Sequence, residues 1–182
     1  MAKVKTPNQR NNYRELNKRL AKYVLLVEQI YEQFNLEAAK IAVSTGYKGG
    51  NKPFRFRDYP NVKDRVNKLK REFVNEIGAL IYRGTSDEWK NSNHIQDLLA
   101  DKVLKTYGAN VNGEKTKIYY QTNSEALNAF QERKINGMGL SDNLWNQAAN
   151  YREELEYAIS SAVQKGTSAV TLSKRLSKYL QD

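Results

Sequence analysis

The chain has 182 residues, 40% of them hydrophobic and 27% charged, a balance that excludes a disordered polyelectrolyte and predicts a folded core. It holds no cysteine and one histidine, which excludes a disulfide framework, a thiolate metal site and a Cys–His nucleophile. The formal net charge is +10, and the excess sits in two segments, 1–22 and 48–72, each with six more bases than acids, while bases and acids balance from Phe73 onward.

Such asymmetry predicts an anionic partner, either nucleic acid or an acidic protein surface. Residues 1–10 lack an apolar run, so no secretory signal is expected. The longest apolar stretches, such as 23–27, are far too short to span a bilayer, and no membrane contact is expected. A cysteine-free chain also fits a cytosolic origin.

Leu16, Leu20, Tyr23, Val24, Val27, Ile30, Tyr31 and Phe34 recur at spacings of three and four, one stripe of a long amphipathic helix beginning near Pro7 and Asn8. Its first turns, to about residue 15, are polar and basic and read as a flexible arm. Asn35 reads as an interruption, followed by a short helix over 36–43. Residues 46–53 form a Gly- and Lys-rich loop, and Phe54-Arg55-Phe56-Arg57 alternates apolar with basic as a short extended stretch does.

The next helix is expected from Pro60 to Arg83, with Val62, Val66, Leu69, Phe73, Ile77, Leu80 and Ile81 inward and Gly84 as its stop. Thr85 and Glu88 have capping-box spacing and predict a new helix running toward Tyr107. Residues 109–122 read as a loop or hairpin around Asn112-Gly113. A helix over 124–135 is broken by Asn136-Gly137-Met138-Gly139. Ser141 then caps a helix over 142–165, Gly166 ends it, and Thr167 or Ser168 opens the last one. The predicted fold is mainly α: an irregular multi-helix bundle in a single domain over 1–182, with one short hairpin at about 109–122.

The catalytic motifs are absent. His94 stands in the polar run Asn91-Ser92-Asn93-His94, with no Gly-x-Ser-x-Gly elbow anywhere, and reads as an ordinary helix residue. The glycine loop at 46–52 lacks the Walker spacing, since Pro53 follows Lys52. Gly137-Met138-Gly139 follows no strand and reads as an interhelical turn. Glu154-Leu155-Glu156 has the Glu-x-Glu form of some transferases, yet lies inside a strong helical pattern and reads as a solvated face. No enzyme activity, metal or cofactor is expected.

The basic residues remain. Arg14, Lys18 and Lys22 are spaced by four and share one helix face. Arg55, Arg57, Lys63, Arg65, Lys68, Lys70 and Arg71 surround the loop and the start of the next long helix. These ten are the candidate contacts to an anionic partner. Phe54, Phe56 and Tyr59 either stack on bases or pin the loop to the core; the second is the commoner use of such rings. No helix-turn-helix is evident, so sequence-specific reading of DNA is not expected.

Two blocks carry a family resemblance. The first is Lys52-Pro53-Phe54-Arg55-Phe56-Arg57-Asp58-Tyr59-Pro60, followed after a helix by Gly84-Thr85-Ser86-Asp87-Glu88-Trp89. The second runs from Ala126-Leu127-Asn128-Ala129-Phe130-Gln131-Glu132-Arg133-Lys134 through Gly137-Met138-Gly139-Leu140-Ser141-Asp142-Asn143-Leu144-Trp145 to Gly166-Thr167-Ser168-Ala169 and Tyr179-Leu180. From about Leu16 onward the chain resembles the N-terminal region of phage head morphogenesis (minor head) proteins of the Mu F-like family. The resemblance implies a structural role in a phage or prophage head, with the portal or other head proteins as partners and packaged DNA as a further contact. It implies a location in the host cytoplasm during assembly and then in the virion head. The further Mu F-like domain that such proteins carry is expected to be absent from this chain, and the family pattern brings no catalytic residue to it.

Overall fold

The computed structural model describes residues 9–49, 52–106 and 124–177. The expected hairpin at 109–122 and the first eight residues of the expected arm lie outside them. The described chain is mainly α, with no β-strand. Its helices are α1 (Gln9–Val43), α2 (Pro60–Thr106), α3 (Ser124–Gln131), α4 (Leu140–Gln147), α5 (Ala149–Lys165) and α6 (Ala169–Ser177), with a 3-10 turn at Phe56–Asp58 before α2. Among the described residues no helix is long and apolar enough to cross a membrane.

Two expected breaks are absent. Asn35 does not interrupt α1, and the helix covers 9–15 as well. The asparagine is fully buried, and its Oδ1 accepts the Tyr151 hydroxyl at 2.9 Å. A polar residue in an apolar stripe marks a break only when its side chain competes for the backbone; here it is engaged elsewhere. Gly84 likewise does not end a helix, since α2 continues to Thr106. Its missing side chain admits the Tyr23 ring, whose carbons would stand 3.2 Å from a Cβ placed there. Thr85 and Ser86 return their hydroxyls to the carbonyls of Ile81 and Tyr82, at 2.7 and 2.9 Å, so Thr85 and Glu88 form no capping box.

Later breaks fall near their expected places. Ile135 and Met138 pair across Asn136-Gly137, both at positive φ (52° and 77°), which is the two-residue hairpin turn that Asn-Gly favours. Helix α3 accordingly stops at Gln131. The cap of α4 is Gly139 rather than Ser141, and its N–H donates to Asp142 Oδ2 at 3.0 Å. The helix expected over 142–165 is two, divided at Ala148 (φ −79°, ψ 7°). The Arg152 guanidinium takes up the Trp145 carbonyl at 2.7 Å and lies 3.6 Å over the Trp145 ring, so the division leaves that carbonyl satisfied. Gly166 ends α5 as expected, in the left-handed region at φ 62°, with Thr167 N–H returning to the Ala162 carbonyl at 2.9 Å. Ser168 opens α6, its Oγ accepting Thr171 N–H at 3.3 Å.

The chain divides into two compact units, and both long helices contribute to each. The first holds 9–24 and the described part of 81–133; the second holds the described parts of 25–80 and 134–182. The second unit owns a dense core. Phe34, Ala38, Val66, Phe73, Leu155, Ile159, Leu172 and Leu176 are buried in it, and Tyr31, Phe73 and Tyr151 meet ring to ring at 4.5–4.8 Å. In the first unit Leu127 is the one buried side chain among the described residues.

Candidate anion-binding surface

In the first unit α1 presents two different faces. Arg14, Lys18 and Lys22 are all exposed, on the side their spacing predicts. Lys18 Nζ lies 2.7 Å from Glu15 Oε1, and this neighbour holds the Glu15 carboxyl below its ordinary range. Arg19 points instead toward α2 and grips Glu88 with two bonds, Nε to Oε1 at 2.6 Å and a terminal nitrogen to Oε2 at 2.9 Å. One turn on, the Tyr23 hydroxyl donates to Asp87 Oδ2 at 3.1 Å. Asp87 and Glu88, the latter expected in the capping box of a new helix, therefore act in mid-helix to hold α1 and α2 together. A cleft of about 270 Å³ opens beside this pair, lined by Tyr13, Leu16 and Ile95 together with Asn12 and Ser92.

In the second unit the aromatic residues of the loop are spent on packing. Phe54 is buried; its ring stacks on Tyr59 at 5.1 Å and meets Phe56 and Tyr47 edge-on at 5.1 and 5.7 Å. The Phe54 N–H donates to the Gln164 side chain, which ties the loop to α5. The stretch is extended only to Arg55 (φ −137°, ψ 128°) and then turns. Arg55 and Arg57 are left exposed on its outer side, Arg57 at 3.6 Å from Asp58, which is also exposed.

The bases of α2 do not form one stripe. At 100° per residue, Lys63 and Lys70 lie together on one side of the buried row of Val62, Val66, Leu69 and Phe73, Arg65 borders it on the other, and Lys68 and Arg71 lie toward the opposite face. Some are already engaged. Lys70, 13% exposed, is paired with Glu156, and Arg65 donates to Ser44 Oγ at 2.7 Å; the Lys68–Glu72 contact at 3.6 Å is solvent-exposed and weak. Lys63 and Arg71 are exposed. The ten candidates thus fall into an α1 face in the first unit, a loop–helix junction of Arg55, Arg57 and Lys63 in the second, and a remainder that is structural or scattered. Lys52, exposed at the start of the aromatic–basic run, belongs with the junction and was signalled by that run.

Other residues singled out by type are also placed. His94 is an exposed residue of α2. Glu156 answers Lys70, and the Gly139 amide is taken by Asp142. Among the described residues no group of three His, Cys, Asp or Glu side chains stands ready to hold a metal ion.

Comparison with known proteins adds little. No protein-family model matches the chain, and no solved structure matches it. One similar protein is the chaperone protein HtpG of Buchnera aphidicola subsp. Acyrthosiphon pisum (strain APS), 30% identical over 103 residues, which is 46% of this chain and 16% of that protein. The chain therefore spans a small part of that relative's length.

Proposed function

We propose that the protein is a structural component of a phage or prophage head, a minor head protein that serves head morphogenesis by binding the portal or other head proteins, with packaged DNA as a second contact and no enzymatic step. The observation that carries this reading is the thin core among the described residues of the first unit. Leu20 and Val24 on α1, and Leu98, Leu99 and Val103 on α2, are each between 46% and 56% exposed. Long helices are held mainly by burying an apolar face. Rows left open on two such helices suit a partner that covers them, and exposed apolar patches mark such contacts. The resemblance of the two sequence blocks supports this kind of partner, and with it a location in the host cytoplasm before entry into the virion head.

Co-expression with the portal protein of the parent phage tests this. The two are expected to purify together, and Leu99→Asp with Val103→Asp is expected to release the portal while α-helical circular dichroism persists. A protein missing from mature particles of the parent phage would sink the reading.

The exposed face of Arg14, Lys18 and Lys22 favours a second reading, a stand-alone DNA-binding protein without sequence preference. That protein would bind duplex DNA in a salt-dependent manner and ignore the portal.

A further inference from the structure

We infer that the junction of the loop and α2, carrying Lys52, Arg55, Arg57 and Lys63, is a preformed docking surface for the sugar-phosphate backbone of duplex nucleic acid. This deepens the DNA contact of the proposed function and rests on that reading for the source of the duplex. The surface itself is argued from its geometry.

Alternation does the first part. Phe54 turns inward and Phe56, Tyr59 and Tyr47 close around it, so Arg55 and Arg57 are left on the outside of a backbone that cannot turn them in. That backbone is held at several points. Asp58 N–H donates to the Arg55 carbonyl and Tyr59 N–H to the Phe56 carbonyl, both at 3.0 Å, and the Tyr47 hydroxyl donates to the Lys52 carbonyl at 2.7 Å. The Gln164 side chain accepts from Phe54. The stretch 52–59 is thus braced before any ligand arrives, which lowers a main cost of binding.

The charges are also available. Lys52, Arg55 and Lys63 make no ion pair among the described residues, and the Arg57–Asp58 contact at 3.6 Å is solvent-exposed and weak. The first turn of α2 carries no acidic side chain, so its positive dipole end reinforces the same cations.

The class of partner follows from what this surface lacks. No large apolar side chain is exposed between 52 and 63, whereas a protein interface needs an apolar centre. The rings are engaged with one another rather than offered to unpaired bases. Cations on a braced backbone, without an apolar anchor or a stacking platform, suit the phosphate backbone of a duplex. The α1 face differs in its cations, since Lys18 lies 2.7 Å from Glu15.

The test is fluorescence anisotropy of the full chain with a labelled duplex of mixed sequence over a range of salt. Four phosphate contacts give a log–log salt slope of about −3.6. The variant Lys52→Gln/Arg55→Gln/Arg57→Gln/Lys63→Gln is expected to lose most of that slope, and Arg14→Gln/Lys18→Gln/Lys22→Gln to keep it. Should the fourfold variant fail to fold by circular dichroism, Arg55→Gln and Arg57→Gln singly are each expected to lower the slope by about 0.9. An unchanged slope in the folded loop variants overturns the inference, as does a slope that only the α1 variant removes. Polyglutamate competing as well as duplex at equal charge would overturn the assignment to nucleic acid in favour of an acidic protein. Loss of the portal interaction with the slope intact refutes the head reading alone; loss of the slope with portal binding intact refutes this inference alone.

Discussion

Asn35 and Tyr151 depend on each other. The amide is buried in the core, and the Tyr151 hydroxyl is its donor at 2.9 Å. Burial pushes the phenol of Tyr151 well above its ordinary range, with a smaller contribution from Tyr31, and burial raises Tyr31 as well. In the unfolded chain both ionise near pH 10, roughly. Above that pH the unfolded state binds fewer protons than the folded state, so stability falls as pH rises. The contribution is complete below the unfolded value and is lost between it and the higher folded values. Urea unfolding is therefore expected to show an alkaline decline beginning at about pH 10 that Tyr151→Phe makes shallower. At neutral pH the same variant is expected to lose roughly 1–3 kcal/mol, because Asn35 Oδ1 is left without a donor. An alkaline limb identical in the two proteins would contradict this account.

At the scale of elements, the contact of α1 with α2 in the first unit turns on a glycine. The Tyr23 ring occupies the space where Gly84 has no Cβ, and the Arg19–Glu88 and Tyr23–Asp87 bonds lie within a turn of it. Alanine there gains about 1 kcal/mol of helix propensity and must displace a ring by a few tenths of an ångström, so its net effect is expected to be small. Valine adds bulk that the ring cannot yield to and is expected to cost about 1–3 kcal/mol. Combining Gly84→Val with Tyr23→Ala should recover part of the loss, with a coupling above about 0.5 kcal/mol in a double-mutant cycle. Strict additivity would show that the glycine is not there for the ring.

Across the whole molecule, burial is unevenly shared. Leu155, Ile159, Leu172 and Leu176 in the second unit are at most 2% exposed, while the first unit buries Leu127 alone among its described residues. Local stability follows buried apolar contact. Along α2, amides over 81–106 are expected to exchange with deuterium before those over 62–80, although one helix carries both. Leu155→Ala is expected to cost about 2–5 kcal/mol. Uniform exchange along α2 would contradict the division. A bound partner on Leu98, Leu99 and Val103 would slow exchange in the first unit and leave the second unchanged, a direct readout of the proposed role.

The sequence by itself determined the helical class, the inward rows of α1 over 30–34 and of α2 over 62–80, the Gly166 stop, the Asn136-Gly137 turn and the exposed face of Arg14, Lys18 and Lys22; Leu20, Val24 and Ile81, expected inward with those rows, are exposed. These are local properties: spacing sets a helix face, and a left-handed turn asks for glycine or asparagine wherever it occurs. The tertiary structure alone decided whether Asn35 and Gly84 were breaks. Each has a weak local preference against helix, overruled by one neighbour distant in the chain, Tyr151 for the amide and Tyr23 for the glycine. It also sorted the ten cations, withdrawing Lys70 to Glu156 and leaving Arg55, Arg57 and Lys63 at a braced junction. Charge is written in the chain. Whether a charge is spent inside the molecule or left for a partner depends on which side chains the fold brings within a few ångströms of it.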